Sequence, residues 1–458
     1  MIPMPKTTKP IQCCQDISRT CLFISGAFST FIFAGAFYGW GPLQLMLEKA
    51  GSFRSKCDVE HTDNNDGTCS AQISELLLVR FTSQLTIVAS PLLGYLSDQK
   101  GDYVLSMLMT VLLWIGLSLL VVSVHFGIDF LLYISLPLIG LASWSGGILT
   151  VQTGLMFQGK IRTRVISALN ALFDAGASTY LCLWLITEYS AATSLTEIFV
   201  GYLLLSIICL GPYTYFWTVV KPEQECSNTN SKVKNTHSMA ECIDVIQENT
   251  EDTVITHRSN RQQMLSQPFI LLCLFFAFHL TSNVWTLTTS RDFLKYIGDD
   301  DNAYLAIFTV LGPLSLVALP FQDIIIQKFG FHAALQAVNV LSIAHSIIKV
   351  SSTDLNVQII GFVLFSFFRC FLFSVTFSFL PKIIDSHLVG EGVGIFYMVG
   401  GIVSLLNIVL ARVAIEVFDG DFFIPNLVFL LLNIPCVYIV WRVKKCIKQD
   451  ERAKPQIA

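Results

Sequence analysis

The sequence predicts an all-α polytopic membrane protein, with twelve transmembrane helices in two six-helix halves. Three observations carry that prediction. Only 14% of the 458 residues are charged, against 53% hydrophobic, whereas soluble domains carry about a quarter charged residues. Mean hydropathy is +0.61. Charge-free apolar runs also recur along the whole chain, most of them near the ~20 residues a helix needs to cross the hydrocarbon core. Backbone in that medium must satisfy its own hydrogen bonds, so the runs read as helices.

In chain order the first half has spans at 20–48, 73–98, 103–126, 128–157, 165–189 and 197–220. The first is too long for a cleavable signal peptide and runs through Gly39-Trp40-Gly41-Pro42 without a small-residue cleavage site. The fifth is interrupted by one charge, Asp174. Residues 221–266 are rich in Ser, Thr, Asn, Gln and both charge signs, cannot bury a core, and read as a flexible linker with a short amphipathic helix around 239–247. The second half follows at 267–294, 303–328, 331–350, 355–382, 392–417 and 422–443, its tenth span carrying Arg369. The organisation is therefore an N-terminus (1–19), a six-helix half (20–220), the linker (221–266), a second half (267–443) and a tail (444–458).

The halves also repeat. The stretch from Pro91 to Gly101 ends the second span, and the stretch from Pro320 to Gly330 ends the eighth with the same Pro-to-Gly separation. Parallel halves around a central site are a common layout of secondary transporters. Of the 29 Lys and Arg residues, 20 fall on the side of the termini and linker, 6 on the opposite side (Lys349 among them) and three inside spans. The positive-inside bias places both termini and the linker in the cytosol, with the plasma membrane as the expected location.

Several function classes find no support. A net charge of −4 offers nucleic acid no footprint. No Cys-x-x-Cys, His-Glu-x-x-His or Walker loop is present, and Gly390-x-Gly392-x-Gly394 follows no strand. Enzymatic chemistry, a cofactor and a bound metal are not expected. The expected partners are a small-molecule substrate and the lipid bilayer; nothing in the sequence fixes an oligomeric state. Of thirteen cysteines, Cys57 and Cys69 fall in one external loop and read as a disulfide pair.

Polar groups inside the spans are the candidate site, because each is costly in hydrocarbon without a partner or cavity. Arg369 is flanked by Phe365 and Phe373 at helical spacing. Its guanidinium suits a substrate carboxylate, or Asp174 in a structural or gating ion pair. Asn170 lies one turn before Asp174 on the same face. His279 and Asn283 share a face of the seventh span, suited either to substrate edges or to interhelical hydrogen bonds. Trp144, in Ser143-Trp144-Ser145-Gly146-Gly147, offers an apolar wall where two glycines thin the helix. Arg80, two turns from the outer face, is expected to snorkel.

Gly94-x-x-x-Asp98-x-x-Gly101 resembles the signature loop of the major facilitator superfamily, departing from it where Asp102 follows in place of basic residues. Asp98, Gly94 and Gly101 are then gating residues, Asp98 capping a neighbouring helix or pairing with a cation, and Asp323 is the second-half counterpart. Within that superfamily, Phe37-Tyr38-Gly39-Trp40-Gly-Pro-Leu43, Trp285 to Leu294, and Phe368-Arg369-Cys-Phe371-Leu372-Phe373-Ser374 resemble the system-L-type large neutral amino acid transporters (solute carrier 43 type). The resemblance implies sodium-independent facilitated movement of Leu, Ile, Val, Met or Phe by alternating access. A proton-coupled or purine nucleobase carrier of the same fold is the alternative, and a transporter-like receptor a remote one.

Overall fold

The computed structural model describes residues 9–57, 70–189, 194–220, 259–301, 303–418 and 421–453. Cys69, most of the linker and its expected amphipathic helix lie outside the described residues. Cys57 is disulfide-bonded.

Among the described residues eleven helical stretches are long and apolar enough to cross a membrane. Six precede the linker: α1 (Ile17–Tyr38), α2 (Ser74–Lys100), α3 (Asp102–Phe126), α4 (Asp129–Leu155), α5 (Gly159–Tyr189) and α6 (Leu195–Val219). After it come α7 (Gln267–Tyr296), the 49-residue stretch Ala303–Ser351, then α10 (Leu355–Lys382), α11 (Ser386–Ala414) and α12 (Phe423–Gln449). Forty-nine residues are over twice what a bilayer takes. That stretch breaks at Gly330 (φ 80°, ψ 174°), which divides it into α8 (303–329) and α9 (331–351) and brings the spans to twelve. Gly101, between α2 and α3, has nearly the same backbone (φ 94°, ψ 155°). Side chains avoid this region, so each half turns at its glycine without a loop.

Helices α4, α7 and α10 bury 78%, 67% and 72% of their most apolar windows, whereas α6 buries 28%. They form the centre of the bundle, while α3, α6 and α12 present Ile115, Ile208 and Tyr438 outward, the apolar surface a lipid-facing helix requires. The two halves meet where α2 packs on α11 and α5 packs on α8 and α10. The first pair and the α5–α8 pair are one contact repeated under a six-helix shift.

The first span differs from its expectation. It passes through a π-helical turn at Thr30–Ala34 and a 3₁₀ turn at Gly35–Tyr38, breaks at Gly39, and continues as a short helix, Trp40–Lys49. Irregular backbone at membrane depth needs outside hydrogen-bond donors. Thr179 donates to the Phe31 carbonyl, Tyr202 to Ile32, Ser143 to Ala34 and Arg80 to Phe37. Arg80 therefore does not snorkel. It turns inward onto that carbonyl and over the Phe37 ring, 4.5 Å from its centroid. Lys349 also departs from expectation: in the last turn of α9 it is buried against α7 and α12, so it leaves the far-side charge count.

Candidate functional site

The break in α1 is held against α5 by glycines. A Cβ on Gly35 would stand 2.0 Å from the Phe173 carbonyl oxygen, and one on Gly176 2.5 Å from that of Phe31. Backbones this close bring Tyr38, at the end of α1, beside Asp174 on α5. From the other half, Arg369 on α10 donates through Nε to Asp174 Oδ1 at 2.9 Å. The pair is deeply buried, its side chains 8% and 2% exposed. The guanidinium carbon also lies 4.8 Å from the Tyr38 ring centroid.

This ion pair is incompletely satisfied. Asp174 Oδ2, Arg369 Nη2, the Tyr38 hydroxyl and the Tyr397 hydroxyl are all buried without a hydrogen-bond partner among the described residues. A charge removed from water ordinarily needs its remaining lone pairs and protons engaged. The surroundings are aromatic. Trp144 packs edge-on to Tyr38 (5.9 Å) and against Tyr397 of α11 (5.3 Å), while Phe173 meets Tyr38 at 5.6 Å. Phe276 and Phe373 close the other side, 5.6 Å apart, both in ring contact with Tyr397. The arrangement offers one free acceptor, several free donors and flat apolar walls, at the seam between the halves.

Of the expected site residues, Arg369, Asp174, Trp144 and Phe373 come together here. Trp144 also donates its indole N–H to Thr86 at 3.1 Å. Asn170, buried one turn below Asp174, gives its amide to the Ile166 carbonyl of its own helix. Asn283 lies two turns from Phe276 on the same stripe of α7, buried, with an unpartnered amide nitrogen. His279 turns elsewhere, bonding Asn339 of α9 at 2.8 Å within the C-terminal half. Phe365 packs on His345 and Phe308 rather than on the pair.

Toward the linker face, Asp98 sits at the start of the α-helical part of α11, Val389–Ser404. Its carboxylate accepts from the backbone N–H groups of Gly390 (3.1 Å) and Glu391 (2.7 Å) and from Gln152 (3.1 Å). A carboxylate there engages the unpaired amides and the positive end of the helix. Gly94 lets the helices touch, since its Cβ would stand 2.0 Å from the Gly390 carbonyl oxygen. At the equivalent place in the second half, Asp323 pairs with Arg164 of α5 at 3.1 Å, partly exposed. Beneath it Gln322 donates to Ser167 at 2.8 Å.

A family profile described as Major Facilitator Superfamily matches residues 23–407. The chain belongs to this superfamily. Among curated relatives of this superfamily member, it is 23% identical over 189 residues to equilibrative nucleobase transporter 1 of Bos taurus, a match spanning 40% of this chain and only 38% of that one. It is 18% identical over 459 residues to arginine transporter 1 of Toxoplasma gondii, covering 88% and 84%. Among solved structures, the proton:xylose symporter XylE bound to 6-bromo-6-deoxy-D-glucose superposes with a TM-score of 0.71 at 13% identity, over 93% of this chain and 96% of that one. At that identity the likeness concerns the fold.

The Gly94–Gly101 stretch departs at one position from the superfamily loop that its sequence resembles. Asp102, where basic residues were expected, accepts a hydrogen bond from Ser97 across the Gly101 turn. Sequence reasoning missed four residues of the central cluster, Tyr38, Phe173, Phe276 and Tyr397. Tyr38 stood within the Phe37–Leu43 motif. Tyr397 stood between Gly394 and Gly401, the glycines at which α11 lies against Ser90 and Ile87 of the other half.

Proposed function

We propose that this superfamily member is a facilitative transporter that moves a small zwitterion, a large neutral amino acid, by alternating access. The observation that carries the reading is the buried Asp174–Arg369 pair, which joins the halves while keeping a free acceptor and free donors. A substrate ammonium group satisfies Asp174, and its carboxylate takes the unused edge of the Arg369 guanidinium. A zwitterion adds no net charge to a site that is already neutral, so neither binding nor release leaves a charge stranded in hydrocarbon. Trp144, Tyr38, Phe373 and Tyr397 wall its side chain, with Asn283 above. Asp98 of α2, seated on the amides of α11, and Arg164–Asp323 close the linker face, which the charge bias assigns to the cytosol; the plasma membrane is the expected location.

A purine nucleobase is the second reading. Two observations favour it: the similarity to the bovine nucleobase transporter, and a cage of rings beside one acceptor and one donor, which suits a planar edge.

Uptake into liposomes holding the purified chain tests both. Saturable leucine uptake that Ile, Met and Phe compete away, and that persists without sodium or proton gradients, is the expected result. Competition by adenine but not leucine moves the assignment to nucleobases. Collapse on removing a pH gradient makes the carrier proton-coupled.

A further inference from the structure

A polar cavity lies wholly within the C-terminal half, among α7, α9 and α12. It is lined by Ser282, Trp285, Thr286, His345, Ser346, Lys349, Asn426 and Phe429. About 10 Å³ is open to the centre of a water-sized sphere, room for one small species.

Two donors of the lining lack partners. Lys349 is 8% exposed, and its ammonium has no hydrogen-bond partner among the described residues. Its ammonium lies 5.2 Å from the centroid of the Phe293 ring. Asn426 is oriented by a neighbour that can only donate: the Trp285 indole N–H gives to Asn426 Oδ1 at 2.9 Å. The amide oxygen is thereby used, and Asn426 Nδ2, 3% exposed with its residue, is left as an unpartnered donor. His345 faces a carbonyl, the Gly361 oxygen at 3.0 Å, so its Nδ1 holds the proton and Nε2 is free to accept from Thr286. Ser282 and Ser346 add hydroxyls to the wall, and no carboxylate lines the cavity.

A buried ammonium and a buried amide N–H in the wall of one cavity, with no carboxylate among its described lining residues, leave positive potential in a space the size of one atom. The geometry points to a monatomic anion site, with chloride as the ligand, held by Lys349 and Asn426 and capped by Ser282 and Ser346. Phosphate, sulfate and a carboxylate-bearing substrate are too large, and no arginine fork is present to receive them. The site is separate from the seam between the halves, and its role is to neutralise Lys349 and lock α9 to α7 and α12.

The test is thermal unfolding of the purified full-length chain at fixed ionic strength, with chloride replacing gluconate. The wild type is expected to gain on the order of 2 °C or more, saturating with chloride. Bromide should replace chloride, and sulfate should not. Lys349→Met should abolish the dependence. Asn426→Asp keeps the acceptor that Trp285 needs, while supplying Lys349 with a built-in anion; it should be as stable in gluconate as the wild type is in chloride. If Lys349→Met does not fold, Asn426→Asp decides alone. No chloride dependence in the wild type, an equal response to sulfate, or an Asn426→Asp chain that still responds to chloride overturns the proposal.

Discussion

Gly94 of α2 and Gly390 of α11 meet backbone to backbone, so close that a Cβ on the first would stand 2.0 Å from the carbonyl oxygen of the second. The contact joins the halves at the level where Asp98 engages the amides of Gly390 and Glu391. Gly94→Ala should therefore act on the equilibrium between conformations. Overpacking of this kind costs about 1–3 kcal/mol, roughly 5- to 150-fold in the closed population. Ser90, fully buried beside Gly394, reports it: alkylation of a Ser90→Cys chain should accelerate when Gly94→Ala is added. An unchanged rate would refute a gating role for the contact.

The central pair makes a prediction about charge as well as transport. Arg369→Met strands Asp174 and should lower stability by about 3–5 kcal/mol, while the double change with Asp174→Leu should recover most of it. Neither chain should transport. Arg369→Lys keeps the charge but loses the planar fork, and uptake should fall at least about tenfold, the loss of one charge-assisted hydrogen bond. Thermal unfolding read alongside liposome flux separates the two effects; normal flux in Arg369→Lys would remove the carboxylate assignment.

Glycines in different settings should respond with opposite signs. Gly330→Ala or Gly101→Ala forces a side chain into a backbone region reserved for glycine and should cost about 1–3 kcal/mol. Gly201, helical in α6 with nothing within 4 Å of an added Cβ, should gain about 0.5–1 kcal/mol as alanine. The order of the three unfolding midpoints is the check.

The paired acids of the linker face should not be equivalent. Asp323 and Arg164 are partly exposed, so Asp323→Ala should change stability by under about 1 kcal/mol. Asp98→Ala leaves the buried amides of Gly390 and Glu391 without an acceptor and should cost about 1–3 kcal/mol or more. Equal losses at both positions would contradict this reading of the geometry.

The bundle was legible because charge is so costly in hydrocarbon that its gaps mark the spans. The repeated Pro-to-Gly stretch located the turn at Gly330 that divides the long helical stretch in two. The same cost made Arg369 and Asp174 visible, since a single charge in an apolar run stands out. Tyr38 and Tyr397 did not stand out, because tyrosine is ordinary in membrane helices and nothing local says which hydroxyl lacks a partner. The π turn at Thr30–Ala34 was equally hidden. It depends on Ser143, Thr179 and Tyr202, more than a hundred residues away. Phe365 and Phe373 flank Arg369 symmetrically in sequence, yet only Phe373 faces the seam.

Trp144 is touched by Tyr38 from its own half and by Tyr397 from the other. Trp285 is enclosed within one half by Phe422 and Phe429. If the halves part as the proposed alternating access requires, the first indole should lose a wall, meet water and emit at longer wavelength, while the second should keep its surroundings and its colour. With the other five tryptophans replaced by phenylalanine, these two would serve as an optical gauge of that opening and a steady reference against which to read it.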